Sequence, residues 1–162
     1  MSLYIRKLSE EDLPKSESIR AIAFAPIFGS FRKILGDEIY ETAQKSEDDK
    51  QSELLAGMFL DTSEWTLFVA EWNGEVMGFV SVYIDTATKV GEIGLNAIEP
   101  KFAGKGHGTQ MFDYALEYMK SREMRVATVA TGGDPSHLAA RKAYEKAGFD
   151  VQIPSVWYCR TL

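Results

Sequence analysis

The sequence predicts one α/β (α+β) domain over residues 1–162, built on a mixed, mostly antiparallel central sheet flanked by helices. Three observations indicate this fold class. The composition is that of a globular protein, with 45% hydrophobic and 26% charged residues. The pair Asn73-Gly74 joins two apolar, strand-like runs. A glycine-rich loop at 104–108 then separates a further strand from a helix.

The chain begins with a predicted strand and helix. Residues 3–8 have the composition of a short strand, and Ser9 with Asp12 resembles a capping box at a helix start. This helix is expected to end near Phe24, because Pro26 breaks helices.

A second helical segment is predicted over 37–60. The polar run at 46–50 is expected to be a loop or a solvated helix face, with Glu47, Asp48 and Asp49 in water. The expected buried residues are Ile39, Leu54, Leu55, Met58 and Phe59.

Strands dominate the middle of the chain. Residues 65–72 and 75–85 form a predicted hairpin, since Asn-Gly supplies the positive φ angles of a type I′ turn. Both faces of the second strand are apolar, which is typical of a central strand. A further strand is predicted at 91–98, before Pro100.

The last third of the chain alternates helix and strand. An amphipathic helix is predicted at 108–121, a strand at 124–131, and a helix capped by Asp134 and ended near Gly148. The tail 149–161 is expected to add one or two strands, with Trp157 and Cys159 in the core.

Composition narrows the function classes. The formal charge of −6 and the lack of a basic cluster argue against nucleic-acid binding. Cys159 is the only cysteine and there are two histidines, so we expect neither a disulfide nor a metal site. The N-terminus lacks a signal-peptide core and no apolar run could span a bilayer, so we expect no membrane contact and a cytoplasmic location.

The loop Gly104-Lys105-Gly106-His107-Gly108 is typical of a phosphate site. A helix N-terminus presents unpaired N–H groups and partial positive charge, and glycines let the backbone approach a bulky anion. A plain turn between strand and helix is an equally frequent interpretation. The P-loop and Rossmann patterns are both disfavoured, because the required Gly-Lys-Ser/Thr is missing and Thr109 stands where the third Rossmann glycine belongs.

Two segments resemble the GNAT superfamily of acyl-CoA-dependent N-acyltransferases. Residues 98–108 (IEPKFAGKGHG) are similar to the family's strand end, V-x-P-x-[FY], and its loop, [RQ]-x-x-G-x-[GA]. Residues 137–149 (HLAARKAYEKAGF) are similar to its N-x-x-A-x-x-x-Y-x-x-x-G-F element. The resemblance implies a GNAT-like fold. It also implies an N-acetyltransferase that moves an acetyl group from acetyl-CoA to a primary amine by direct attack in a ternary complex.

The resemblance also implies a cofactor site. Ala103 stands where the family usually has Arg or Gln, which leaves its backbone N–H as the contact, and His137 stands where Asn is common. The backbone N–H near Ile98 is expected to stabilise the oxyanion. The implied cofactor-binding residues are Ala97, Ile98, Ala103, Gly104, Lys105, Gly106, His107, Gly108, Thr109, His137 and Tyr144. We expect His107 to contribute its backbone, with its side chain in solvent.

Glu92 and Tyr144 are the candidate catalytic residues. Alternation along 91–98 places Glu92 on one face with Asn96 and Ile98, where some family members carry a glutamate base. Tyr144 matches the family tyrosine near the cofactor sulfur, and a phenol can protonate a departing thiolate. A solvated carboxylate and a packed aromatic side chain are the structural alternatives.

Two other function classes stay open. A non-catalytic acyl-CoA-binding or sensing module with the same fold would bind the cofactor without turnover. A phosphate-binding protein outside the family would bind nucleotides without a preference for CoA. The acceptor, a small-molecule or peptide amine, is left open by the sequence, and so is a homodimer.

Overall fold

Five strands form one sheet: Leu3–Lys7 (β1), Trp65–Trp72 (β2), Glu75–Asp85 (β3), Val90–Ile98 (β4) and Val126–Val129 (β5). The computed structural model describes residues 3–162. The strands lie in the order β1-β2-β3-β4-β5. The first four pair antiparallel, and β5 joins β4 in parallel. The predicted mixed, mostly antiparallel sheet is confirmed.

Four α-helices flank this sheet: Leu13–Ile39 (α1), Lys45–Phe59 (α2), His107–Ser121 (α3) and Leu138–Lys146 (α4). A π-helical turn, Tyr40–Gln44, joins α1 to α2. Near its end α1 is interrupted at Gly36, which has a φ of 75°. The predicted capping box is present, because the Ser9 N–H donates to the Asp12 carboxylate over 2.8 Å.

The helices bury the two faces of the sheet separately. Met111 and Met119 of α3 pack with Tyr144 of α4 on one face. Ile19 of α1 and Leu55 of α2 pack on the other. All of them are buried, and each apolar side chain of this size contributes about 1.5–3 kcal/mol when it leaves water. The sheet is therefore covered on both sides, which explains why both faces of β3 are apolar.

The β2–β3 hairpin forms as predicted. Asn73 and Gly74 have φ angles of 52° and 81°, the left-handed conformation that a type I′ turn requires. This turn fixes the register in which β3 reaches β4.

A β-bulge lies in β4. Ser81 of β3 is opposed by two residues, Gly94 and Leu95, because Val80 pairs with Asn96 and Val82 pairs with Ile93. A Cβ on Gly94 would lie 2.4 Å from the Trp65 ring, so only glycine fits there. Because of this extra residue, the alternation of the β4 side chains between the two faces of the sheet is inverted after the bulge. The set of side chains that face α3 changes accordingly.

The predicted end of the first helix near Phe24 is wrong. α1 continues through Pro26 and ends only at Ile39. A proline inside a helix costs about 3 kcal/mol or more. Here the helical spacing of Phe24, Phe28 and Phe31 continues across Pro26, and the rings of Phe24 and Phe28 pack edge to face across the proline with centroids 6.2 Å apart. The polar run 46–50, predicted to be a loop or a solvated helix face, is helical and lies within α2.

The predicted strands of the tail are also wrong. Residues 149–162 form no regular element, and 151–162 are exposed throughout. Trp157, expected in the core, is 60% exposed, and Cys159 is exposed rather than buried. Alternating apolar residues favour a strand, but a strand also needs a hydrogen-bonding partner, and the tail pairs with none among residues 3–162.

Across residues 3–162, no helix combines the length and the apolar character needed to cross a bilayer.

Candidate functional site

The site begins where β4 and β5 part. Their parallel pairing runs from Val90 opposite Val126 to Ile93 opposite Val129, and the rest of β4 continues without β5. The Glu99 N–H donates to the Met77 carbonyl of β3 over 2.8 Å. Since successive N–H groups of a strand point to opposite sides, the Ile98 N–H points away from β3. The two strands are thus separated at Ile98, which leaves a backbone donor facing a gap in the sheet.

The glycine loop lies beside this gap. Gly104 and Gly106 have φ angles of 74° and 85°, which other residues adopt only with strain. Gly106 caps α3, which begins at His107, so the unpaired N–H groups of the first turn follow the loop directly. A Cβ on Gly104 or Gly106 would meet no atom of residues 3–162 within 4 Å. The loop therefore presents bare backbone to open space, as an anion site requires.

Tyr144 and Asn96 meet across the gap. The Asn96 Nδ2 donates to the Tyr144 hydroxyl over 3.0 Å and to the Gly94 carbonyl over 2.9 Å. Burial raises the pKa of Tyr144, and the hydrogen bond from Asn96 only partly offsets this. The phenol consequently keeps its proton at neutral pH, the state that a general acid needs.

His137 is held by Asp134, which caps the 3-10 turn Pro135–His137 that leads into α4. Its Nδ1 lies 2.5 Å from Asp134 Oδ1, and Asp134 also accepts the Ser136 N–H. Burial alone would raise the pKa of Asp134, but the hydrogen bonds from Ser136 and His137 hold it at about 2. With Nδ1 donating to Asp134, the Nε2 atom of His137 is free to contact a ligand.

These parts line one cavity of about 780 Å³. Its walls are the ends of β4 and β5, the glycine loop, α4, and the α1 and α2 helices on the far side. Lys142 and Lys146 of α4 also line it and add positive charge. Of the sequence-predicted cofactor residues, the following line the cavity: Ala97, Ile98, Ala103, Gly104, Gly106, Gly108, Thr109, His137 and Tyr144.

Lys105 and His107 do not line it. The prediction that the His107 side chain is solvated is wrong. Its ring is buried and packs against Trp72, with 4.6 Å between ring centroids. Because α3 begins at His107, the side chain turns towards the sheet while the backbone stays beside the loop.

The predicted face of Glu92 is also wrong. Ile93 packs on the α3 side, so Glu92 faces the α1 side, together with Leu95 and Ala97. Asn96 faces Tyr144 instead, because the bulge at 94–95 reverses the alternation. Glu92 is exposed and does not line the cavity. Its role as a base stays a prediction.

The sequence did not identify the wall opposite the glycine loop. Asp48 is buried and lines the cavity, contrary to the solvated face predicted for 47–49, whereas Glu47 and Asp49 are exposed. Nothing in the acidic run distinguishes Asp48 from its neighbours. A signal did exist for the α1 wall, since Phe24, Phe28 and Phe31 recur at helical spacing.

Residues 30–149 match the model of the acetyltransferase (GNAT) family. An uncharacterized N-acetyltransferase of Methanocaldococcus jannaschii is 34% identical over 88 residues, which are 51% of this chain and 38% of that protein. The uncharacterized N-acetyltransferase YhfO of Bacillus subtilis is 24% identical over 152 residues, 91% of this chain and 95% of that protein. The chain thus spans less than half of the first relative and nearly all of the second.

Among solved structures, the fold is similar to that of the PaiA N-acetyltransferase of Thermoplasma acidophilum in complex with coenzyme A. The TM-score is 0.70 at 20% identity, with 96% of this chain and 94% of that chain covered. At 20% identity, this likeness shows that the two chains share a fold.

Proposed function

The chain belongs to the acetyltransferase (GNAT) family, and on this premise we propose that it transfers the acetyl group of acetyl-CoA directly to a primary amine in a ternary complex. One observation carries the proposal. The glycine loop, the outward Ile98 N–H and the Asn96–Tyr144 pair all border the same cavity, whose far wall belongs to other helices. Donor and acceptor can therefore be present together.

Acetyl-CoA is the donor. Its diphosphate binds the N–H groups of the loop at Gly104 and Gly106 and of the first turn of α3, where the helix dipole favours negative charge. Ala103 contributes only its backbone. Lys142 and Lys146 add long-range attraction for phosphate.

Transfer needs an oxyanion donor and an acid. A neutral amine attacks the thioester carbon, and the Ile98 N–H stabilises the oxyanion that forms. The nitrogen of the intermediate then gives its surplus proton to water, the carbon–sulfur bond breaks, and the thiolate takes the proton of the Tyr144 hydroxyl, while Asn96 holds that hydroxyl in place. Solvent returns a proton to the Tyr144 phenolate after CoA leaves. The amine must lose a proton beforehand. Glu92 remains the proposed base, and because it lies outside the cavity lining, the proton reaches it through water.

The first experiment tests the donor. At a hundredfold excess over Kd, acetyl-CoA should stabilise the fold by about 2.7 kcal/mol. For a chain of this size each kcal/mol raises the melting temperature by roughly 2–4 °C. A melting temperature unchanged by acetyl-CoA and CoA would refute the cofactor assignment, and a rise with any nucleotide would favour the phosphate-binding alternative.

The second experiment tests the chemistry. Mass spectrometry of a panel of amines incubated with acetyl-CoA should find an acetylated product. Tyr144→Phe should lower kcat by roughly 10²–10⁴-fold, because general acid catalysis is lost. Tyr114→Phe on α3 is the matched control and should retain activity. Cofactor binding without any acetylated amine would identify a non-catalytic binding module, and full activity of Tyr144→Phe would remove Tyr144 as the acid.

We also propose a homodimer in which the tail of each copy pairs with the other copy. Residues 151–162 expose a set of large apolar side chains: Val151, Ile153, Val156, Trp157, Tyr158 and Leu162. β5 is the last strand of the sheet, so its outer edge presents N–H and C=O groups that no strand of residues 3–162 pairs with. A second copy that adds its tail to this edge would cover both features. The cytoplasmic location stays a prediction.

A further inference from the structure

Asp48 is a buried carboxylate in the cavity wall without a cation. It lies in the first turns of α2 and is 5% exposed. Its Oδ2 accepts the Tyr40 hydroxyl and its Oδ1 accepts the Gln44 side-chain amide, each over 2.8 Å. Both donors are neutral. A carboxylate has about four acceptor positions, so two of them remain for a ligand.

The cations near Asp48 are engaged elsewhere. Lys45 pairs with Asp49, and Lys50 pairs with Glu47. Arg32 pairs with Asp37 and Glu41. Within residues 3–162, no basic nitrogen lies within 4.0 Å of the Asp48 carboxylate. Burying an unpaired carboxylate costs several kcal/mol, so its position in a binding cavity calls for a positively charged ligand.

Two neighbours, Tyr40 and Gln44, fix the position of the Asp48 carboxylate in the cavity wall. Burial and the hydrogen bond to Asp48 raise the pKa of Tyr40 to about 12, so this hydroxyl remains a donor at neutral pH. Gln44 donates to the other oxygen. Gln44 and Gln51 line the cavity beside Asp48 and add polar groups at this end.

The adjoining wall on α1 is apolar and aromatic. Phe24, Phe28 and Phe31 line the cavity, with Ile27 among them. Such a wall suits a hydrocarbon chain, and the ring faces also attract ammonium groups.

The attacking nitrogen must be neutral, whereas an ion pair with a carboxylate favours the charged form of an amine. Asp48 therefore suits a nitrogen that does not react. We propose that Asp48 anchors a second ammonium group of the acceptor, and that the acceptor is a diamine or longer amine whose hydrocarbon spacer lies along the α1 wall. This inference rests on the proposed acetyl transfer and adds the acceptor class to it.

The experiment compares two acceptors that differ only in the second ammonium, 1,5-diaminopentane and 1-aminopentane. With acetyl-CoA saturating, the wild type should have a kcat/KM at least tenfold higher for the diamine. Asp48→Asn keeps the size of the side chain and removes its charge. It should lower kcat/KM for the diamine about 10–100-fold, mainly through KM, as expected for a lost charge-assisted hydrogen bond. The loss of kcat/KM for the monoamine and the change in KM for acetyl-CoA should both be several-fold smaller than the loss for the diamine.

Asp49→Asn, one residue along α2 on its exposed side, is the control and should behave as wild type. Equal losses for both amines in Asp48→Asn would show a structural role and overturn the anchor. Equal kcat/KM of the wild type for both amines would overturn it while acetyl transfer stands. Acetylation of neither these nor any other amine would refute the proposed function as well.

A second measurement uses only the wild type, so its outcome does not depend on whether Asp48→Asn folds. With CoA bound, the diamine should raise the melting temperature and the monoamine should not. Equal shifts, or none with either amine, would also overturn the anchor.

Discussion

Asp12 joins the first helix to the sheet. The Arg6 guanidinium of β1 donates to both of its carboxylate oxygens, over 2.7 and 3.0 Å. Chiefly through these hydrogen bonds, the pKa of Asp12 falls from 3.8 to about 2. A carboxyl whose folded-state pKa is lowered stabilises the fold above its unfolded pKa, and this contribution disappears as the pH falls through the folded value.

We therefore expect Asp12 to contribute about 2 kcal/mol at pH 7, a contribution lost between about pH 4 and pH 2. Asp12→Asn should unfold at lower urea concentration at neutral pH, and the difference from wild type should vanish in acid. Asp61→Asn, at an exposed position, is the control. A gap between wild type and Asp12→Asn that stays constant down to pH 2 would contradict the ion-pair explanation.

Individual site residues were predictable to unequal degrees. Tyr144 was found because it belongs to a sequence pattern, and the structure adds that it is buried beside Asn96. Glu92 was assigned to the wrong face, since a bulge has no alternation signal of its own. Asp48 could not be found at all, because its burial depends on a helix packing that the acidic run 46–50 does not indicate.

The glycine loop and α1 allow a matched pair of substitutions. Gly106 has a φ of 85° and lines the cavity. Gly29 lies in α1, where a Cβ would meet nothing within 4 Å of the chain described, and it does not line the cavity. The same change, Gly to Ala, thus meets strain at one position and free helical space at the other.

Gly106→Ala should cost about 1–2 kcal/mol in backbone strain and weaken CoA binding at least about tenfold, because the added methyl group points into the anion site. Gly29→Ala should stabilise the fold by about 0.5–1 kcal/mol and leave CoA affinity unchanged. Calorimetric titration with CoA and chemical denaturation measure the two effects. Unaltered CoA affinity in Gly106→Ala would argue against binding of the diphosphate at this loop.

Segments with local determinants were predicted well. The hairpin follows from Asn73-Gly74, and α3 follows from its amphipathic pattern and its glycine start. The length of α1 was underestimated, because a local rule about Pro26 competed with packing that only the folded chain supplies. The tail was mispredicted for a related reason, since a strand there requires a hydrogen-bonding partner and residues 3–162 supply none.

That partner is proposed to be a second copy of the chain. The tail exposes Trp157 and Tyr158, and β5 leaves one edge unpaired. If the tail of each copy pairs with β5 of the other copy, a dimer covers both the apolar side chains of the tail and the open edge of β5. If the tail pairs with β5 of its own chain, a monomer covers them.

Size-exclusion chromatography with light scattering should give twice the chain mass. Trp157→Asp should shift the protein towards monomer, because a buried charge opposes the contact. Leu60→Asp, at another exposed apolar position, should leave the dimer intact. A monomeric wild type would refute the exchange, and so would a dimer unaffected by Trp157→Asp.

The early parting of β4 and β5 has a consequence for rigidity. Only four residue pairs attach β5 to the rest of the sheet. The donor substrate proposed to bind in this gap would contact both β4 and α4, which line it, and so link two elements that the sheet does not join here. Without it, the amide protons of β5 are expected to exchange with solvent sooner than those of the buried β3. If the donor binds in the gap, acetyl-CoA should slow the exchange of the β5 amide protons, so the substrate would also stabilise this end of the sheet.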